Sequence, residues 1–174
     1  GKLHLESDDF EAPNGLCFSP DETLLYVNDS ARAHIRVFPV GGDGTLGKSR
    51  LFARRIGTGE FAGGLVDGMK CDKRGNVYVT GPRGIWVFSP AGQHLGVIGM
   101  PEHAGNLNWG GRDWDELYCA CSSSIYRVKL KVRGKAHVEP LKQGKEAIII
   151  SEIPYMVNKS SLVTSIAQLV NEKK

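Results

Sequence analysis

NGLCFSPDETLLYV (residues 14–27), DGMKCDKRGNVYV (67–79) and NLNWGGRDWDELYC (106–119) are three versions of one pattern. Each opens on a polar residue, alternates apolar and polar positions, passes a turn and reaches a hydrophobic-Tyr step. The tyrosines, Tyr26, Tyr78 and Tyr118, fall twelve, eleven and twelve residues after the openers Asn14, Asp67 and Asn106. Near-constant spacing marks a repeated supersecondary unit, and repetition places the openers at equivalent points in space.

Around these openers the chain reads as short strands cut by turn residues. The first unit predicts strands over 15–19, 24–28, 35–40 and 50–53, with Pro20-Asp21 and Gly41-Gly42-Asp43-Gly44 as punctuation. The second predicts 68–72, 77–80, 85–89 and 94–98, and the third 106–109, 116–121 and 125–130. Openers lie 53 and then 39 residues apart, close to the ~40 to 50 of four-stranded propeller blades. The expected fold is therefore mainly β, with about three four-stranded blades of a β-propeller. Three blades do not close a ring of about 4 to 8, so self-association to complete the propeller is one expectation.

Composition sets bounds on this reading. No apolar run approaches the ~20 residues of a membrane helix, and GKLHLESDDFEAP at residues 1–13 lacks the basic and apolar regions of a signal peptide. A cytoplasmic location without membrane contact is expected. Cys17, Cys71, Cys119 and Cys121 sit in apolar runs at spacings that match no zinc or thioredoxin-type motif, and read as small core residues in a reducing compartment.

The net charge of +3 is unevenly spread. Residues 1–130 hold fourteen Lys+Arg against fifteen Asp+Glu, whereas residues 131–174 hold eight against four. Lys131, Arg133, Lys135, Lys142 and Lys145 would give only sequence-independent, salt-sensitive phosphate contact, so nucleic acid is not expected as a partner. This tail also changes pattern. It predicts strands over 131–140 and 146–151 and then a helix capped at Asn158 or Ser160, with Leu162, Ile166, Leu169 and Val170 on one face: a small β-β-α segment. The domains expected are thus 1–130 and 131–174.

The openers carry the chemistry. Polar heads of successive blades converge on the propeller axis, where carboxylate and amide oxygens suit a hard divalent cation. Such an ion polarises an ester carbonyl and activates water. Asn14-Gly15 and Asp67-Gly68 are equally ordinary turn dipeptides, and that reading stays open. His103, three residues before Asn106, could orient a substrate or act as a base. Trp86, Trp109 and Trp114 lie in or beside strand patterns and read as blade packing. No G-x-S-x-G nucleophile elbow is present.

Residues 10–130 resemble the C-terminal half of the senescence marker protein/gluconolactonase/luciferin-regenerating family. APNGLCFSPDETLLYVNDS, DGTLG, LVDGMKCDKRGNVYVTGPRGIWVFSP and PEHAGNLNWGGRDWDELYCACSSSIYRV carry the likeness. It implies a six-bladed propeller with an axial divalent cation (Ca, Zn, Mg or Mn) and hydrolysis of sugar lactones. By the same likeness Asn14 and Asp67 are metal ligands and Asp67 is also the catalytic acid/base; Asn106 and His103, read from their place in the third repeat, are expected to line the substrate mouth. It further implies that the family's glutamate ligand belongs to blades upstream of the matching stretch, so that activity is impaired.

Residues 131–174 resemble an internal piece of the DNA gyrase A polypeptide through VRGKAHVEP and GKEAIIISEIPYMVNKSSLVTSIAQLVNEKK. Two unrelated resemblances meeting near residues 127–133 suggest a chimera. A non-catalytic propeller assembly or binding module, and a topoisomerase-derived fragment, are the alternatives to a lactone hydrolase.

Overall fold

In the computed structural model, residues 1–57 and 65–134 are described in full, together with the backbone of two strands over 137–141 and 145–149. The helix expected after Asn158 lies outside the described residues. The chain divides into two compact units, 1–135 and 136–174.

In the first unit, alternation and turn chemistry produce three antiparallel sheets. The first contains β1 (Pro13–Phe18), β2 (Leu24–Asp29), β3 (His34–Pro39) and β4 (Arg50–Arg54), in that order across the sheet. The second contains β5 (Met69–Cys71), β6 (Val77–Gly81), β7 (Gly84–Phe88) and β8 (His94–Gly99), again in chain order. The third contains three strands, β9 (Ala104–Gly110), β10 (Glu116–Cys121) and β11 (Ile125–Lys129). Each sheet begins at its inner edge: β1 lies beside β5, and β5 beside β9.

Turns are built as their residues dictate. Asp72 accepts from the amides of Arg74 and Asn76, each at 2.9 Å, and Gly75 takes the positive φ of 82° that closes this Asx-type turn. Asp21 and Asp43 make the corresponding bonds to Thr23 and Thr45.

Packing follows the two-residue period of a strand. Val77 and Val79 of β6 face the first sheet, joining Tyr26, Ile35, Val37, Phe52, Met69 and Phe88 in one core. Tyr78 faces the other way, into a second core with Ile85, Leu107, Trp109, Leu117 and Cys119. The middle sheet is thus covered on both faces, and all five residues of β6 are buried. Each wholly buried valine or isoleucine contributes about 1.5–3 kcal/mol. Edge-on aromatic pairs tie the sheets, Phe52 to Phe88 at 6.4 Å between the first and second and Tyr78 to Trp109 at 5.2 Å between the second and third. The buried indoles are satisfied, Trp86 donating to the Pro82 carbonyl (3.0 Å) and Trp109 to that of Cys71 (2.9 Å). The four cysteines form no disulfide, and only Cys121 is partly exposed.

The strand expected over 131–140 does not form as such. Arg133 accepts from the Lys73 amide at 2.9 Å, and Gly134 donates to the Trp114 carbonyl at 2.6 Å while pairing with Asp72. Backbone groups bound there cannot join a tail ladder. In the second unit β12 (His137–Leu141) therefore begins later, and it pairs antiparallel with β13 (Lys145–Ile149).

Candidate functional site at the heads of the inner strands

The openers gather where the inner strands begin, and local irregularity aims them. On β1, Pro13 pairs with Asp29 and Leu16 with Val27, so Asn14 and Gly15 together oppose Asn28 in a bulge. On β9, Ala104 pairs with Cys121 and Asn106 with Ala120, leaving Gly105 as the extra residue. Asp67 and Gly68 precede β5. Bulges of this kind turn a side chain out of the pleat.

Glycines let these strand heads touch. A Cβ on Gly15 would collide with the Asp67 carbonyl oxygen and come within 2.7 Å of Asn28 Nδ2. One on Gly68 would overlap Asn106. The Asp67 carboxylate leans toward the third sheet, with Oδ2 3.6 Å from where a Gly105 Cβ would sit. Asn14, Asp67 and Asn106 thus belong to one row of abutting backbones.

Buried polar side chains from the second strands brace that row. Asn28, fully buried, accepts from the Gly15 amide at 3.2 Å and donates to the Asp67 carbonyl at 2.6 Å. Thr80, also fully buried, occupies the same place in the second sheet, with its hydroxyl 3.4 and 3.5 Å from the carbonyls of Gly68 and Gly105. The Gly68 amide completes the joint by donating to the Gly105 carbonyl at 2.9 Å. Ser30 donates to the Val66 carbonyl at 2.5 Å and accepts from Asn14 Nδ2 at 3.3 Å. These residues escape a reading of the openers alone, but a signal exists. Asn28 and Thr80 each fall two residues after the repeat tyrosine, polar residues closing an otherwise apolar run.

The openers differ in what remains available. Among the described residues, the half-buried Asp67 carboxylate and the Asn14 amide oxygen accept no hydrogen bond. The Asn106 amide oxygen is engaged by the Leu107 amide at 2.8 Å. His103 is exposed, and its carbonyl accepts from the Ser122 amide at 3.0 Å. Its loop is pinned by Glu102, which accepts from the Ser123 amide (2.8 Å), the Ser124 hydroxyl (2.7 Å) and the Tyr126 hydroxyl (2.9 Å). Led by the Ser124 bond, these donors pull the Glu102 carboxyl down to about 2. Among the described residues no cluster of three or more His, Cys, Asp or Glu is placed to hold a metal. Asn14 and Asp67 nevertheless supply two oxygen donors of the hard type that calcium-like ions prefer.

Radially arranged antiparallel sheets, with polar openers at their inner edges, define the β-propeller class of protein. Residues 1–123 match the family model described as SMP-30/Gluconolactonase/LRE-like region, and the chain belongs to that family. It is 38% identical over 140 residues to the gluconolactonase of Zymomonas mobilis, covering 77% of this chain and 39% of that protein. The solved gluconolactonase from Xanthomonas campestris is similar at 32% identity and a TM-score of 0.61, over 71% of this chain and 39% of that one. Regucalcin from Agrobacterium tumefaciens, a calcium-binding protein, shares the fold at 21% identity and a TM-score of 0.63, over 73% and 48% of the two chains. The chain thus spans about two fifths of the curated gluconolactonase it matches. A second similarity is to the DNA gyrase A polypeptide of Rickettsia bellii, 54% identical over 48 residues, which is 28% of this chain and 5% of that protein. Among the described residues no helix is long and apolar enough to cross a membrane, which says nothing of β-barrels.

Proposed function

We propose that the propeller unit is part of a metal-dependent lactone hydrolase whose ligand set includes Asn14 and Asp67. One observation carries this reading: the two side chains head abutting inner strands, and their oxygens are left unengaged among the described residues. A divalent cation held there, with calcium, magnesium, manganese and zinc as candidates, supplies Lewis-acid polarisation of the lactone carbonyl.

Asn14 orients that cation and adds no charge of its own. Asp67 takes a proton from the attacking water, and the same proton goes to the ring oxygen as the acyl C–O bond breaks, yielding the open hydroxy acid. His103 and Asn106 line the mouth, and Glu102 holds the His103 loop in place. In this reading the propeller has six blades, of which the three sheets here are part. Two ligand side chains, with at most three oxygens between them, fall short of the six to eight a calcium ion takes. The 174 residues alone are therefore a weak catalyst.

The test is hydrolysis of gluconolactone by the chain with added Ca²⁺, Mn²⁺ or Zn²⁺, beside Asp67→Asn. Loss of a general acid–base group lowers the rate about 10²–10⁴-fold. An Asp67→Asn rate equal to that of the unaltered chain overturns the assignment.

The gyrase similarity supports a second element of the proposal: the chain is a chimera joined near residues 127–133. An intact-protein mass spanning Arg127 to Arg133 tests the junction, and two separate masses overturn it. Four cysteines in no disulfide, three of them buried, favour a reducing, cytoplasmic setting for the propeller unit.

A further inference from the structure

We infer that Ser30 is a positioning residue that sets which atom of Asn14 faces the cation. The inference rests on the metal-site reading above and extends it from the ligand to the group behind it. A serine hydroxyl has one proton. Ser30 directs it to the Val66 carbonyl at 2.5 Å, a contact buried from solvent. The Asn14 atom 3.3 Å from Ser30 Oγ must then be a donor, which makes it Nδ2. With the amide nitrogen held by Ser30, the amide oxygen points away from it, where no described residue donates to it.

The sense of the chain, Asn14 N–H to Ser30 O–H to Val66 C=O, thus orients the ligand oxygen. The Val66 carbonyl serves here only to take the serine proton, which leaves the hydroxyl oxygen free to accept from Asn14. Without this bond the Asn14 amide can present either its oxygen or its nitrogen, and only oxygen binds a hard cation.

The experiment is a Tb³⁺ luminescence titration of the full 174-residue chain, with Tb³⁺ as an oxygen-seeking stand-in for Ca²⁺, and with Ser30→Ala, Asn14→Ala and the double variant. Outer partners of this type are worth about 10–100-fold in metal affinity, so Ser30→Ala should weaken Tb³⁺ binding about tenfold. In the Asn14→Ala background the same change should have no further effect, because Ser30 acts through Asn14. Ser30→Thr, which keeps the hydroxyl, should restore the affinity. Should the alanine variant not fold, Ser30→Cys, close in volume with a weak donor, takes its place and should also bind more weakly.

Wild-type affinity in Ser30→Ala, or an equal loss in both backgrounds, overturns the positioning role and leaves the metal site standing. Absence of saturable Tb³⁺ binding by the unaltered chain overturns the metal site and this inference with it.

Discussion

Replacing Gly15 by alanine tests the contact on which the site depends. A methyl at this position would meet the Asp67 carbonyl oxygen, with Asn28 Nδ2 at 2.7 Å and the Met69 amide at 3.0 Å. Two of these are backbone atoms and the third belongs to the buried, hydrogen-bonded Asn28 carboxamide, so the strand heads of the first two sheets must separate. Separation stretches two bonds, Gly15 N–H to Asn28 Oδ1 at 3.2 Å and Asn28 Nδ2 to the Asp67 carbonyl at 2.6 Å. At about 1 kcal/mol for each bond, and about 1–3 kcal/mol for overpacking, the loss is about 3–5 kcal/mol. For a unit of this size that corresponds to a fall in Tm of about 10 °C or more.

Trp86, Trp109 and Trp114 all lie within residues 1–135, so tryptophan fluorescence follows this unit alone during a thermal melt. Gly42→Ala is the control. A Cβ there meets nothing within 4 Å, and the change should stay within about 0.5 kcal/mol. A Gly15→Ala chain that melts with the control would refute the close packing of β1 against the start of β5. The Asn14–Asp67 arrangement would lose its footing with it.

Two further predictions concern pH. Glu102, pulled down to about 2 by the Ser124, Ser123 and Tyr126 donors, stabilises the fold above its ordinary value near 4.5 and loses that contribution as pH falls toward 2. Urea midpoints of wild type and Glu102→Gln should therefore differ at pH 7 and converge between pH 4.5 and 2; a constant gap refutes the clasp. Burial lowers the His34 value below 6.5, and its buried Nε2 has no hydrogen-bond partner among the described residues, so folding favours the neutral ring. Stability should fall as pH drops below about 6.5, where the unfolded chain takes up the proton first. His34→Leu should flatten the decline between pH 7 and 5 in the same assay, and an unchanged slope would exclude His34 as its source.

Strand positions were legible because alternation and turn residues act locally. β2, expected over 24–28, spans Leu24–Asp29, and β10 coincides with the expected 116–121. The bulge at Asn14-Gly15 was less visible, since Asn-Gly serves a turn as readily as an extra residue in a ladder. The braces were hidden for a different reason. Asn28 and Ser30 bond to backbone 39 and 36 residues downstream, and no local period reports a partner so distant. The third sheet has three strands because the chain beyond β11 bonds back to Asp72, Lys73 and Trp114 instead of returning as a fourth. The repeat pattern alone treats the openers alike; the structure adds a physical difference, because the Asn106 amide oxygen accepts from the neighbouring Leu107 amide.

The braces also act as spacers between neighbouring wedges of the propeller. Asn28 spans the gap between the first and second wedges with a whole carboxamide, whereas Thr80 spans the next with a single hydroxyl. Exchanging the long spacer for a short one at the end of β2, as in Asn28→Thr, would therefore change how the first two strand heads meet without altering Asn14 or Asp67 themselves.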